Sequence, residues 1–194
     1  MPRTEVFNRR EVLNKAKNIF WLKGYNGTSI QDLVDVTGLN RSSIYNSFGS
    51  KMELYLQSLK RYQADISELF EKANRQNRNA IETIGLVFLY VLEDILDDTE
   101  EKGCMLINCQ TEMGNQDAQL HGLLGVYQER LAGIFQNWVI RGQAEGTIRT
   151  DEKSELLAYY LVNAYQGLRI SGMNTKDAVI LKSIIQNILK PITC

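Results

Sequence analysis

The chain has 194 residues, is 44% hydrophobic and 23% charged, and carries a net charge of −1. That balance fits a globular chain of one or two domains with real cores, and no apolar run approaches the roughly 20 residues of a membrane span. The opening MPRTEVFNRRE has no apolar signal segment, so the expected location is the cytoplasm, with no membrane partner. Three cysteines, an odd number, point to free thiols rather than a disulfide framework.

Charge is unevenly spread. Residues 1–51 hold eight Lys/Arg and four acids, a balance of +4, and the remainder sums to −5. A basic head on an acidic body suits a polyanion partner at one end, although a segment of this length can also drift by several charges.

Taken in chain order, the elements are almost all helical. Pro2 and Pro191 are the only prolines, so nothing between them need break a helix. Residues 5–23 place Val12, Leu13, Ala16, Ile19 and Phe20 on one face, and Gly24 supplies a stop. Thr28 or Ser29 caps a second helix, since Gln31 and Asp32 lie three residues beyond each. This helix buries Ile30, Leu33 and Val34 and ends at Gly38. Asn40 caps a third, with Ile44 and Phe48 inward. Ser50, with Glu53 three residues on, opens a long helix through Phe70.

The polar stretch 72–79 separates this helix from another bearing Ile84, Phe88, Val91, Leu92 and Ile95. The acidic run 97–103 reads as a solvated turn, and 104–113 as a short helix. A long amphipathic helix follows, from Leu120 to Trp138. After the loop EGTIRTD, segment 155–170 is apolar nearly all round, and a final helix carries Leu181, Ile184, Ile185, Ile188 and Leu189. The expectation is an all-α fold of about nine helices: a three-helix head over 1–50 and a helical body over 51–194.

A capped helix, a glycine turn and a second capped helix make a helix-turn-helix pattern. In such a pair the second helix enters the major groove, so its outer face must be slim, polar and free of acids. Between Asn40 and Ser50 there is no acid, and the outward set is Arg41, Ser42, Ser43, Asn46 and Ser47. Arg pairs bidentately with guanine and Asn with adenine, while hydroxyls reach bases or phosphates. Any helical hairpin with a solvated face would share the spacing.

The residues go beyond spacing. Ala16…Phe20…Gly24-Tyr25, Thr28-Ser29-Ile30 with Asp32-Leu33, Thr37-Gly38, and Ile44-Tyr45 with Phe48, Lys51 and Leu54 resemble the DNA-binding domain of the TetR family of bacterial transcriptional regulators. Segment 142–172 is similar to that family's last two-helix region. The resemblance implies a homodimeric, ligand-responsive regulator, most simply a repressor, bound to double-stranded operator DNA. Thr28, Ser29 and Gln31 then stand at the phosphate-facing start of the second helix. Arg41 and Ser42 fall at base-reading positions, Ser43 at base or phosphate, and Tyr45 and Lys51 at phosphate anchors. Asn46 would contribute to sequence choice. Ser47 stands where many relatives carry histidine, and its hydroxyl is shorter than that phosphate contact uses in them. Arg3, Arg9 and Arg10 either add backbone contacts or are solvated charge.

The resemblance also implies an effector cavity in the body. Its candidate lining is Tyr62, Phe70, Phe88, Leu92, Met113, Tyr127, Trp138 and Tyr165, which read equally as core aromatics and aliphatics. A cavity with few charges suits a small apolar or aromatic effector. Leu168 and Ile185, on the last two long helices, are the expected dimer-interface positions. Cys104 follows Gly103 at a helix start and is either a reactive thiol or a buried small residue. His121 is the sole histidine and no glycine-rich phosphate loop occurs, so no metal, cofactor or catalytic residue is expected. The alternative reading is a helical binding protein or enzyme whose head has lost DNA binding. Such a head should gather acids in 40–51 or lose Tyr45 and Lys51, and this one has done neither.

Overall fold

Asn8 caps the first helix: its side-chain carbonyl accepts the backbone N–H groups of Arg10 and Glu11. The computed structural model describes residues 7–194, so Arg3 lies outside the described residues. Within them run nine α-helices: α1 Arg9–Lys23, α2 Ile30–Thr37, α3 Arg41–Phe48, α4 Lys51–Asn74, α5 Ala80–Asp97, α6 Met105–Met113, α7 Ala118–Glu145, α8 Ser154–Asn174 and α9 Ala178–Leu189. A 3-10 turn, Lys190–Ile192, follows where Pro191 cannot continue the helix. No strand is formed among the described residues, only one isolated bridge between Ile148 and Thr193. The fold is all-α.

The described residues fall into two compact units. One holds the chain through Asp65 together with Met105–His121, and the other holds Ile66–Cys104 with Gly122–Cys194. The first unit therefore takes in the N-terminal turns of α4, and also α6. The reason is packing. Leu54, Tyr55, Leu59 and Tyr62 of α4 are buried, as are Val12, Ala16 and Phe20 of α1, Leu33 of α2, and Ile44 and Phe48 of α3. The Phe20 and Tyr55 rings meet edge-on at 4.9 Å, and Trp21 and Tyr62 do likewise at 4.9 Å.

Helix α6 adds an electrostatic tie. The Glu112 carboxylate accepts the backbone N–H groups of Tyr25 (2.9 Å) and Asn26 (2.7 Å), two donors left free where α1 ends. Gly24 makes the approach possible. It sits at φ 73, ψ 178, and a Cβ there would lie 2.7 Å from a Glu112 oxygen.

In the second unit α5 packs against α8 and α9, and those two pack on each other. Phe70 is the hub of its aromatic core, with ring centroids 5.6 Å from Phe135, 5.9 Å from Trp138 and 5.7 Å from Tyr165. Arg169 is buried in α8, paired with Asp94 of α5 at 2.9 Å and donating from Nε to the Tyr165 hydroxyl at 3.0 Å. A guanidinium taken out of water is tolerated only with such partners.

Leu168 and Ile185, expected at a dimer interface, lie inside the protomer at 0% and 4% exposure. Segment 155–170 is apolar on several faces, so periodicity alone could not say which face meets the chain's own core. Leu168→Ala is therefore expected to cost about 2–5 kcal/mol of folding stability through cavity formation. Urea unfolding should show a lower midpoint at unchanged slope.

Candidate nucleic-acid interface

The α2–turn–α3 unit is held by reciprocal caps at each junction. Ser29 and Asp32 form a capping box: the Ser29 hydroxyl accepts Asp32 N–H at 3.0 Å, and Asp32 Oδ2 accepts Ser29 N–H at 2.7 Å. Gly38 ends α2 in the left-handed region, φ 74, where glycine carries no Cβ strain. The Asn40 side chain accepts Ser43 N–H at 2.8 Å and starts α3. Ser50 and Glu53 cap α4 in the same reciprocal manner. Two helices of only eight residues are marginal in isolation, so these caps and the burial of Leu33, Ile44 and Phe48 fix them.

With Ile44 and Phe48 turned inward, α3 presents Arg41, Ser42, Tyr45 and Asn46 outward. Positions 41, 42, 45 and 46 form one helical stripe. Ser43 and Ser47 are half-buried at its flanks. No acid lies in α3. Of the acids on neighbouring elements, Asp32 is neutralised by the Lys23 ammonium at 2.6 Å, and the Glu53 carboxylate is engaged by the Ser50 N–H at 2.8 Å. The Lys23 ammonium and the Ser29 hydroxyl and N–H hold the Asp32 carboxyl well below the usual carboxylate range. Lys51 lies over the Tyr25 ring at 4.3 Å. Partial burial pulls the Lys51 pKa down from its ordinary value, against the opposing pull of the Glu112 and Asp32 carboxylates. A cation held partly out of water, with its stem pinned on an aromatic face, is suited to meet a phosphate.

Three expectations are altered by the geometry. Thr28 is fully buried and its hydroxyl donates to Gly24 C=O at 2.6 Å, so it braces the turn instead of meeting phosphate. The exposed Ser29 hydroxyl is engaged in the capping box, donating to Asp32 at 2.6 Å. Arg9 is not a solvated charge. Its guanidinium donates to the Ser47 carbonyl at 2.8 Å and to Gln57 at 3.1 Å, and lies 4.4 Å from the centroid of the Phe48 ring. It thus locks the C-terminal end of α3 with a charge of the sign the helix dipole favours there. Gln31 is exposed and donates to Asp35 at 2.8 Å.

Part of the expected effector-lining set comes together: Phe70, Trp138 and Tyr165 share one aromatic cluster. Tyr62 and Met113 belong to the first unit and the other six to the second. Phe88 and Leu92 are packed in the core. A cleft of about 230 Å³ does open between α4 and α7, lined by Ser67, Phe70, Glu71, Asn74, Arg130, Ile134, Asn137 and Trp138. Only Phe70 and Trp138 of the expected set reach it. Sequence periodicity marked the aromatics but gave no sign of its polar rim. Cys104 is 3% exposed, which shields the thiol from solvent reagents, and Cys109 is buried, hydrogen-bonded to Tyr55, with its thiol pKa pushed up by burial. His121 Nδ1 lies 3.2 Å from the Gly114 carbonyl. Among the described residues no three metal-ligating side chains gather, and no helix is long and apolar enough to cross a membrane.

Paired short helices with an acid-free outer face, and a pinned lysine beside them, define a helix-turn-helix DNA-binding regulator. Residues 12–57 match the family model of bacterial regulatory proteins, tetR family. The chain is 29% identical over 178 residues to the HTH-type transcriptional repressor DhaR of Mycobacterium sp., covering 86% of this chain and 82% of that one. It is 26% identical over 178 residues to the HTH-type transcriptional regulator YezE of Bacillus subtilis, covering 91% and 92%. Its fold matches that of a cysteine mutant of CifR, a TetR family transcriptional regulator solved with 26-bp double-strand operator DNA. The TM-score is 0.86 at 21% identity, over 97% of this chain and 98% of that one. The match over residues 12–57, the curated relatives and the shared fold together support the TetR family.

The contacts separate by experiment. Arg41→Ala should shift base preference at one position by roughly 1–3 kcal/mol, whereas Lys51→Ala should weaken all sequences alike and flatten the salt dependence by about one charge. Binding isotherms on a set of single-base operator variants, at several salt concentrations, read both. Thr28→Val should leave the salt slope unchanged while lowering folding stability by about 1 kcal/mol, because it removes an internal hydrogen bond.

Proposed function

We propose that the protein is a transcriptional repressor that binds a two-fold symmetric operator as a homodimer and releases it on binding a small effector in the body. The observation that carries this reading is the outer face of α3, with Arg41, Ser42, Tyr45 and Asn46 exposed on a helix without acids. Arg41 and Asn46 are the base readers, with Gln31 and Ser42 beside them. Tyr45 and Lys51 anchor phosphates, with Ser43 and Ser47 at the flanks. Selection of bound sites from random double-stranded DNA tests the reading directly. A palindromic consensus is expected, with half-sites one helical turn apart or somewhat more.

The dimer face is the outer side of α8 and α9. Leu156, Tyr159, Tyr160 and Ile170 of α8 are exposed large apolar side chains, as are Val179 and Ile180 of α9. Isolated exposed apolar residues are ordinary, but a run at helical spacing on two adjacent helices suits a four-helix contact with a second copy. Gly167 lies among them, and a Cβ there would meet nothing within 4 Å, so the outer face is open for close helix approach.

Release follows from linkage. Helix α4 begins at Lys51 and reaches the body through Phe70 and Asn74, so an effector that favours one setting of α4 changes DNA affinity. Operator and effector must then weaken one another by the same factor. Tyr159→Glu combined with Ile180→Glu should give folded monomers by sedimentation, with helix content retained and operator affinity lost. A double variant that stays dimeric would remove α8 and α9 from the interface.

A further inference from the structure

We propose that the cleft between α4 and α7 is the effector site, and that it takes a small, neutral, planar aromatic molecule bearing an amide-like hydrogen-bonding group. This rests on the reading of the protein as an effector-released repressor.

Size comes first. At about 230 Å³ the cleft is smaller than the pockets of roughly 300–1,000 Å³ that hold drug-sized ligands, which limits the occupant to one or two fused rings. Shape comes from the back wall. Phe70 and Trp138 are both nearly buried, and their rings lie within 9° of parallel with centroids 5.9 Å apart. A flat ring entering the cleft meets an aromatic surface already organised for stacking or edge contact, whereas a puckered ring does not.

Polarity comes from the rim. Glu71 and Arg130 supply one charge of each sign, so no net charge is selected. Asn74 and Asn137 supply amides. Asn74 Oδ1 is occupied by the Trp138 indole N–H at 3.2 Å, which fixes the amide plane and turns its nitrogen into the available donor. Asn137 is exposed at the rim and offers both a donor and an acceptor. A primary amide matches that set, donor for acceptor, while an apolar ligand would leave the rim groups unanswered on desolvation.

One turn ahead of Arg130 on the same α7 stripe, the buried Tyr127 hydroxyl lies beside Tyr165 without a hydrogen bond of good geometry. Tyr165 in turn packs on Phe70. Phe70, Glu71 and Asn74 come from α4, and Arg130, Ile134 and Trp138 from α7, so an occupant acts on the spacing of those two helices.

The test uses the full-length chain labelled with nitrogen-15. Two tryptophans give two indole N–H signals, and Trp21→Phe assigns them. Naphthalene-2-carboxamide is the probe. A saturable shift of the Trp138 signal is expected, with a Kd on the order of 0.1 mM, while the Trp21 signal stays fixed. Cyclohexanecarboxamide, which has the amide but no aromatic face, should bind about three- to tenfold more weakly. Ile134→Trp should fill the cleft and abolish the shift. If that variant loses helix content, Asn137→Trp at the exposed rim serves as the block. The proposal is overturned by the absence of a saturable Trp138 shift, by equal affinity for the two amides, or by undiminished binding in the blocked variant. Binding to the DNA recovered by selection is measured on the same samples. DNA bound without a Trp138 shift removes the site and leaves the repressor. A Trp138 shift in a protein that selects no DNA removes the repressor and leaves the site.

Discussion

The Glu112 carboxylate is the tie on which the head depends. It takes up two backbone N–H groups at the end of α1, and by doing so positions Tyr25. Tyr25 carries Lys51 on its ring, and packs on Tyr55 of α4 at 5.2 Å. The α1 end is thus tied to one anionic acceptor, and the start of α4 is linked to it through the Tyr25 ring. A charge-assisted hydrogen bond to backbone N–H is stronger than a neutral one, and here two of them converge on one side chain. The α2–α3 pair therefore has a fixed base beneath it, rather than a loosely held loop.

Electrostatics around α3 follow the same economy. A helix-turn-helix needs acids at its caps, because carboxylates are good partners for free N–H groups at helix starts. It also needs a surface that does not repel phosphate. The conflict is resolved by choice of residue. Asn40, a neutral cap, opens α3, while the acidic cap Asp32 is placed where Lys23 can cover it. Arg9 supplies the opposite end of α3 with positive charge by bonding its Ser47 carbonyl. The result is a short helix stabilised at both ends without any exposed negative charge of its own.

Much of this was legible in the sequence because it is local. The caps at Asn40 and Ser50, the stops at Gly24 and Gly38, and the inward pair Ile44 and Phe48 are all set within a few residues, and the pattern of helices follows from 3.6-residue periodicity. What stayed hidden is long-range. Glu112 reaches a partner 87 positions away, and Arg9 one 38 away. Neither charge carries a local sign of its target. Thr28 and Ser29 are adjacent hydroxyls, and only the turn geometry shows that one is buried and the other caps. In α8 the apolar residues cover so much of the circumference that the inward Leu168 and the outward Tyr159 look alike in a periodicity plot. The cleft at α4 and α7 was half visible, through Phe70 and Trp138, because stacking aromatics stand out and rim amides do not.

Gly24 shows what such an arrangement means for sequence drift. Its backbone, at φ 73 and ψ 178, occupies a region open to almost no residue but glycine. Independently, the Glu112 oxygens fill the space that a side chain would need. Two separate barriers guard one position, so relaxing either does not free it. A substitution at 112 that cleared the space would still leave the strained dihedral in place. Neutral exploration is closed at this site, and diversification of the head must proceed elsewhere, on the outer stripe of α3, where side chains face only solvent or the partner and can change singly without disturbing what lies beneath.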